Sequence, residues 1–406
     1  MGKIEIDHTG SGGGITLSSD GTSLLLGGTA VGGSALELYA ENPSTPTTPL
    51  AGGTNGVAIG SGSNAGGSGA IAIGVGSAAG DGAFCAINGG GNTAYGAVGN
   101  RSIAMGEAAR SQGQDSVAIG ENSLASAADS FAIGYNTDAT GTNAAAFGYN
   151  AQAAGIDSIA LGNSRAGGTD SFAAVIDNNT SSYGATSSNS IALGWRAKAS
   201  GTFGTSIGYQ TQATAGNSVA VGRSCVASGS QSTALGYQSL ASGEYSTAIG
   251  RNAKAELIGK LAYAAADFGA SSLYSQTGIY VLLADTTDAT AEALTTNRST
   301  VSSNNQIILA NNAAYAFHGT IVARQQASGG TASAAWKVEG LIRREGSAGT
   351  TVLVNSATTV LDNTPSWGMA LSADTTNGGL AITVTGEAST NIRWVATIHT
   401  SEVTYA

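Results

Sequence analysis

The side chains that most often carry chemistry in proteins are sparse in this sequence. Its three histidines, His8, His318 and His399, are isolated from one another along the chain. His318 and His399 alternate with core-facing neighbours on predicted strands, so we expect both to face solvent or a partner. The two cysteines, Cys85 and Cys225, stand where neighbouring repeat units carry small or apolar residues. That placement predicts buried free thiols rather than a metal pair.

No known catalytic motif compensates for this scarcity. The sequence contains no HExxH, Walker-type or CxxC motif. A glycan-cleaving enzyme needs paired carboxylates on one groove, whereas Glu107, Glu121 and Glu244 occupy separate slots. The segment Asp285-Thr286-Thr287-Asp288 has acids suited to Ca²⁺, but a solvated turn is the simpler interpretation. We therefore predict no enzyme activity, catalytic residue, cofactor or metal site.

The composition indicates a repetitive structural protein. Of 406 residues, 61 are Gly and only 4 are Pro, which argues against collagen. Apolar residues make up 42% and charged residues 10%, a balance that argues against disorder. The net charge of −10 predicts no nucleic-acid partner. A repeat protein with a narrow core of small and apolar side chains in each repeat would account for this composition.

Neither a secretion signal nor a membrane span is evident. The N-terminal residues 1–7 contain no apolar h-region. No stretch approaches the roughly 18 apolar residues of a membrane helix. We expect synthesis in the cytosol without export and no membrane insertion.

A short unit, small–apolar–Ala–apolar–Gly, recurs along half of the chain, as in Ser116-Val117-Ala118-Ile119-Gly120. Its glycines are Gly60, Gly74, Gly106, Gly120, Gly134, Gly148, Gly162, Gly194, Gly208, Gly222, Gly236 and Gly250. They are 14 residues apart except across two intervals of 32. Those intervals resemble each other, with Phe84-Cys85-Ala86-Ile87 matching Phe172-Ala173-Ala174-Val175. We interpret each as a wider double coil within one solenoid.

Fourteen residues suffice for two short strands and two tight turns, which predicts a parallel β-solenoid. Period-2 alternation places the residue before each glycine, always apolar, on one face, which we assign to the core. The residue two before the glycine would then point outward. Because it is Ala in eleven of twelve units, we expect it to pack against another copy of the chain; the alternative is that cramped local geometry favours Ala.

A second set of glycines lies seven residues after the first, midway through the coil. Its members are Gly67, Gly113, Gly141, Gly155, Gly201, Gly229 and Gly243. We expect positive φ at these corners, since Gly adopts it without steric cost.

The repeats closely resemble the head repeats of YadA-like trimeric adhesins. Val57-Ala58-Ile59-Gly60, Ser116-Val117-Ala118-Ile119-Gly120 and Ser218-Val219-Ala220-Val221-Gly222 carry the resemblance. The resemblance implies a left-handed parallel β-roll and a homotrimer, neither of which periodicity alone supplies. The chain departs from trimeric autotransporters because its C-terminal region lacks their long coiled coil and membrane anchor.

Four segments follow from these patterns. We predict a small β-rich attachment module at 1–40, a Pro-rich linker at 41–53, a β-roll rod at 54–256 and a C-terminal domain at 257–406. The domain should be an antiparallel β-sandwich or jelly roll, with Trp336 and Trp394 in its core. Its predicted strands are 278–284, 315–324, 335–344, 351–354, 367–372, 380–385 and 392–400.

The C-terminal segment looks like the C-terminal domain of tailed-phage virion structural proteins, on stretches such as Trp336-Lys337-Val338-Glu339-Gly340 and Asn391-Ile392-Arg393-Trp394-Val395. That resemblance implies a virion fibre, foremost a tail fibre or receptor-binding appendage. The N-terminal module would bind another virion protein, and the C-terminal domain loops would bind a host receptor through residues that the sequence does not identify. Alternatives are a capsid decoration or head fibre, a bacterial surface adhesin and a glycan depolymerase tailspike.

Overall fold

The computed structural model describes residues 4–6, 15–19, 24–26, 29–31, 36–38, 47–87, 95–174, 182–268, 275–326, 329–363 and 365–405. The chain divides into two compact units, residues 1–179 and 180–406. Within the described residues the regular structure is β, apart from one 3-10 turn at Ala348–Thr350. The predicted all-β class is confirmed.

Short strands occur in the N-terminal segment where the sequence predicted them. They are β1 (Ile4–Ile6), β2 (Ile15–Ser19), β3 (Leu24–Leu26), β4 (Thr29–Val31) and β5 (Leu36–Leu38). The first four form an antiparallel sheet in sequence order. Of the predicted linker, residues 41–46 lie outside the described part of the chain.

The coils of the first unit alternate a longer and a shorter strand. They are β6 (Leu50–Ala51), β7 (Val57–Ile59), β8 (Asn64–Ala65), β9 (Ile71–Gly74), β10 (Ser77–Ala78), β11 (Phe84–Ile87), β12 (Gly96–Ala97), β13 (Ile103–Met105), β14 (Arg110–Ser111), β15 (Val117–Ile119), β16 (Leu124–Ala125), β17 (Phe131–Tyr135), β18 (Asp138–Ala139), β19 (Ala145–Tyr149), β20 (Gln152–Ala153), β21 (Ile159–Leu161), β22 (Arg165–Ala166) and β23 (Phe172–Ala174). Strand β5 pairs in parallel with β7, and β6 with β8, so coil pairing begins inside the predicted N-terminal module and continues through the predicted linker.

The second unit continues the same alternation. Its coil strands are β24 (Gly184–Ala185), β25 (Ile191–Leu193), β26 (Lys198–Ala199), β27 (Thr205–Tyr209), β28 (Gln212–Ala213), β29 (Val219–Arg223), β30 (Val226–Ala227), β31 (Thr233–Tyr237), β32 (Leu240–Ala241), β33 (Thr247–Arg251), β34 (Lys254–Ala255) and β35 (Leu261–Ala264). Parallel pairing of β35 with β33 carries the last coil beyond residue 256.

Successive coils stack in parallel, most of them with a 14-residue register. Val117 pairs with Phe131 on the long-strand side, and Leu124 pairs with Asp138 on the short-strand side. Each coil therefore hydrogen-bonds to its neighbours in sequence, as expected for a solenoid. The predicted parallel β-solenoid is confirmed.

Small side chains line the interior of every coil. The residues two before the motif glycine are all fully buried: Ala58, Ala72, Ala104, Ala118, Ala132, Ala146, Ala160, Ala192, Ser206, Ala220, Ala234 and Ala248. The large apolar residue that follows each of them points outward instead, so that Ile73 is 38% exposed and Met105 is 39% exposed. The predicted alternation is correct, but the assignment of its two faces was wrong. The Ala row is the core and the Ile row is the surface.

The width of the coil explains the inversion. Ser111 Oγ and Ser116 Oγ, from the two sides of one coil, lie 2.7 Å apart in the interior. A gap that narrow holds Ala and Ser, whereas Ile would overpack it. Placing the largest apolar residue inside assumes the roughly 10 Å spacing of packed sheets. A 14-residue coil does not provide that spacing.

The corner glycines also serve a different purpose from the predicted one. Gly113 and its equivalents are absent from the positions with positive φ among the described residues. A Cβ at Gly113 would lie 1.8 Å from the carbonyl oxygen of Ala127, so the close approach of the next coil favours Gly there. Positive φ occurs instead at the motif glycines and at non-Gly turn residues seven apart, such as Asp115 and Asn122. Asp and Asn tolerate this conformation better than most residues.

The first 32-residue interval contains a coil strand, β11, that no motif glycine marks. Strand β11 pairs in parallel with β9 before it and β13 after it. Residues 88–94, between β11 and β12, lie outside the described part of the chain. In the second interval β23 pairs with β21 in the same way, and residues 175–181 are not described. In the first interval the register advances by 13 residues from β9 to β11 and by 19 from β11 to β13, so it holds the predicted double coil, whose second part is longer than the usual coil.

The C-terminal region consists of antiparallel strands, seven of them at the predicted places and two short ones that the sequence analysis did not predict. They are β36 (Ser275–Thr286), β37 (Ala291–Ala293), β38 (Ile307–Ile308), β39 (Ala313–Gln325), β40 (Ser333–Arg344), β41 (Val352–Asp362), β42 (Gly368–Asp374), β43 (Gly379–Thr385) and β44 (Ile392–Thr404). The two short strands are β37 and β38. One sheet has the order β35-β36-β44-β39-β40-β41, and in the other β37, β38 and β42 pair with β43.

A core of large side chains lies between these two sheets. Trp336 and Trp394 are 3% and 1% exposed, and their rings stack with centroids 5.7 Å apart. Trp367 packs against Trp394 at 5.8 Å, and Ile382 of the second sheet belongs to the same cluster. The predicted antiparallel arrangement and the predicted burial of Trp336 and Trp394 are confirmed.

Candidate functional surfaces

The outward face of the long coil strands carries an apolar strip, defined here as the residues one and three before each motif glycine. Its members with more than a third of their surface exposed are Ile71, Ile73, Met105, Phe131, Phe147, Ile159 and Leu161 in the first unit and Ile191 and Ile207 in the second. Contiguous apolar surface of this kind marks an interaction site in soluble proteins. The apolar strip therefore takes the place that the sequence analysis gave to the Ala row.

In the second unit, the residues that come directly after the motif glycines form a ladder of aromatic and arginine side chains. Trp195 and Tyr209 stack with ring centroids 4.5 Å apart. The guanidinium of Arg223 lies 5.3 Å from the Tyr209 ring and 5.4 Å from the Tyr237 ring, and Arg251 lies 5.7 Å from Tyr237. Parallel coils place these residues in successive layers, so each contacts the next. Sequence reasoning missed this ladder, although its 14-residue spacing was available.

The outward face of the last coil continues onto the C-terminal sheet. Leu261 of β35 is opposite Ile279 of β36, and Ile279 is opposite His399 of β44. Further along the same face Val281 and Val322 are 47% and 50% exposed. One face of this sheet thus covers the tryptophan core while the other leaves large apolar side chains exposed.

The two histidines of this region come together on that outward face. His318 of β39 is directly opposite His399 of β44. Their rings stack with centroids 5.4 Å apart and an interplanar angle of 13°. The predicted outward orientation is confirmed, since His318 is exposed and His399 half-buried. Their pairing was missed because 81 residues of sequence separate them. His8 lies outside the described residues.

A polar cleft lies at the loop end of the same sheet. Its volume is about 560 Å³, and Arg324, Gln326, Asn391 and Arg393 are among the residues that line it. Asn391 Nδ2 donates a hydrogen bond to Gln326 Oε1 at 2.8 Å. Varied polar groups of this kind suit recognition of a ligand.

Asp285 and Asp288, the two acids of the segment compared with a Ca²⁺ site, both have partners within the chain. Asp285 forms ion pairs with Arg298 and with Arg393, the latter at 3.4 Å. The Asp288 carboxylate accepts a hydrogen bond from the backbone N–H of Thr290 at 2.7 Å, which lowers the pKa of Asp288. Among the described residues no three His, Cys, Asp or Glu side chains form a group able to hold a metal ion. Asp285 and Thr286 end strand β36, and only Thr287 and Asp288 lie in the exposed turn that the sequence analysis predicted for the whole segment.

The remaining candidates for chemistry are also placed apart. Cys85 and Cys225 are free and buried, as predicted, and burial raises the pKa of both thiols. Glu107, Glu121 and Glu244 are exposed on separate coils. In the described parts of the chain no helix is long and apolar enough to span a membrane.

A buried charged network joins the last coil to the C-terminal sheet. Lys260 and Glu402 are each 3% exposed, and their charged groups lie 2.7 Å apart. Glu402 also accepts hydrogen bonds from Gln276 at 2.6 Å and from the Tyr280 hydroxyl at 2.8 Å. Burial raises the pKa of Tyr280 well above its usual value, with the Glu402 carboxylate adding to the effect. Sequence reasoning missed this network. The one signal was Lys260 at the coil position that Ser246 fills.

The comparisons with known proteins agree with this geometry in the coils. No curated protein sequence matches the chain. The family model of the YadA head domain repeat spans two copies of the repeat. It matches residues 51–77, 111–137, 139–164, 185–209, 199–224 and 227–253. All of these ranges fall in the parallel coils of the two units. The matched coils are therefore similar to YadA head domain repeats, and an antiparallel β domain follows them.

Proposed function

We propose that this chain is the non-enzymatic subunit of a phage virion fibre, and that three copies assemble through the apolar strip. The observation that carries the assembly is the strip itself, because a monomer would leave Phe131 and Ile159 each 41% exposed in water. Burying apolar surface contributes about 25 cal/mol per Å², so repeating the contact coil after coil gives a large total. The resemblance of the repeats to those of YadA-like trimeric adhesins supplies the number three.

Substitution of two residues that pair across neighbouring coils tests the assembly. Ile119→Glu with Ile133→Glu places charges on the apolar strip and leaves the coil interior intact. We expect folded monomers by analytical ultracentrifugation and circular dichroism. Glu121→Gln with Glu107→Gln alters exposed side chains outside the strip and should leave the trimer unchanged. A trimer that survives both strip substitutions would contradict the proposed interface, and a monomeric wild-type chain would contradict the assembly itself.

We assign host attachment to the C-terminal domain within this proposal. The coils present similar groups layer after layer, so they offer little to discriminate one receptor from another. The C-terminal domain is not repetitive, and its cleft combines guanidinium and amide groups from the ends of β39 and β44 with the Asp285 carboxylate of β36. Loops on a rigid scaffold commonly carry such binding functions. The N-terminal module would then attach the fibre to another virion protein.

Competition with phage adsorption tests this assignment on the full chain. Arg393→Ala with Asn391→Ala should weaken binding to host cells at least tenfold and abolish competition. Arg343→Ala is the matched control, because it removes an exposed arginine at the opposite end of the same sheet. Equal competition by all variants would contradict the assigned cleft. Competition by an N-terminal fragment alone would reverse the polarity of the fibre.

Labelling of intact particles with an antibody to this chain tests its location. A tail fibre predicts label at the tail, and label on the capsid would replace the tail fibre with the head-fibre alternative. Absence of the chain from purified particles would contradict the virion proposal in both forms.

A further inference from the structure

Two of the three histidines of the chain meet side by side on the outward face of the C-terminal sheet. His318 and His399 are opposite residues of an antiparallel strand pair, and their ring centroids are 5.4 Å apart. Their neighbours Phe317 and Ile398 are buried in the opposite face, which holds both imidazoles toward solvent. The strand pair thus sets the two rings in one fixed relation.

Nothing in the packing explains this pair as a structural element. A buried histidine normally satisfies its ring nitrogens with hydrogen bonds. His318 and His399 form none to the parts of the protein that the structure describes, and His318 is exposed. Their nitrogens therefore remain available to an external partner.

Neutral imidazole is a preferred ligand for Zn²⁺, Ni²⁺ and Cu²⁺. Two ligand nitrogens on a tetrahedral ion, each about 2.0–2.1 Å from it, lie roughly 3.3 Å apart. Rotation about the side-chain bonds of rings already stacked at 5.4 Å can bring two nitrogens to that spacing. Because both ligands stand on paired strands, the ion is bound without ordering a loop.

We propose that His318 and His399 chelate one divalent transition-metal ion. Both imidazoles belong to one chain, and water completes the coordination. Glu339 lies opposite His318 on β40, but its carboxylate is paired with Lys337 at 3.2 Å. The site is contained in one chain, so it does not depend on the proposed fibre function.

Zinc titration of the full chain, stripped of metal with a chelator, tests the proposal. We expect wild-type protein to bind Zn²⁺ at one ion per chain. His318→Gln and His399→Gln should each weaken binding at least tenfold, because either change leaves a single ligand. His8→Gln is the matched control and should bind as the wild type does.

A second pair of measurements separates loss of the ligand from loss of the fold. His318→Cys should retain Zn²⁺ binding, since a thiolate is also a zinc ligand. Zn²⁺ should raise the thermal midpoint of the wild type and of His318→Cys but not that of His399→Gln. The proposal is overturned if both Gln variants keep wild-type affinity, or if each loses only half of the bound zinc at unchanged affinity.

Discussion

The coils and the C-terminal domain differ in the size of the side chains that they bury. In the coils Ala118 and Ser116 are fully buried while Ile119 lies on the surface. In the C-terminal domain Trp394 and Ile321 fill the core, and the outward positions mix polar and apolar groups. The difference teaches that hydrophobicity alone does not decide which residue is inside. The volume between the two backbones decides it first, and only then does the hydrophobic effect select among the residues that fit.

We expect the largest loss of stability from a charge placed in the coil interior. Ala118→Glu puts a carboxylate without a partner into a gap sized for Ala, and overpacking adds to the cost. We expect a loss of about 5 kcal/mol or more in the free energy of unfolding. Denaturation monitored by circular dichroism would measure it. A stable, folded Ala118→Glu protein would show that the Ala row is not the core.

The C-terminal core should respond instead to lost volume. Trp394→Ala removes a side chain that stacks on Trp336 and packs against Trp367, and we expect a loss of about 3–5 kcal/mol. Loss of tryptophan fluorescence at lower denaturant concentration would report it. Val281→Ala, on the exposed face of the same sheet, should cost well under half as much. Equal losses for the two variants would contradict the assignment of the two sheet faces.

The buried ion pair tests whether the two regions are joined by charge. Glu402→Gln leaves the Lys260 ammonium buried and unpaired, so we expect a loss of about 3 kcal/mol. The double variant Lys260→Met with Glu402→Gln should recover part of that loss, because no buried charge is then left unpaired. Thermal unfolding of the single and double variants provides the comparison. If the double variant is less stable than Glu402→Gln, the network contributes mainly through its other hydrogen bonds.

The smallest effect is expected on the outer ladder. Arg223→Ala removes a guanidinium held between two tyrosine rings, and a partly exposed cation–π contact is worth roughly 0.5–1 kcal/mol. Arg223→Met keeps the stem of the side chain and should lose less. Chemical denaturation of the three proteins measures the series. A loss as large as that from Ala118→Glu would mean that the ladder, and not the Ala row, holds the coils together.

Most of the secondary structure was predictable because it follows from local spacing. The 14-residue period, the short parallel strands and the long C-terminal strands each depend on residues close together in sequence. Strand β40 at 333–344, predicted at 335–344, shows how well alternation alone defines a strand. The burial of Trp336 and Trp394 followed from the same alternation because the C-terminal domain has room for them.

Three features depended on the tertiary structure. The sequence determined that two faces alternate along each coil strand, but the narrow gap between the strands decided that Ala118 lies inside and Ile119 outside. Pairing between distant strands brought His318 to His399, and Lys260 to Glu402, across 81 and 142 residues of chain. Spacing in sequence carries no record of such contacts. The sequence by itself therefore determined a β-solenoid with an appended antiparallel domain, and the folded backbone decided which surfaces it presents.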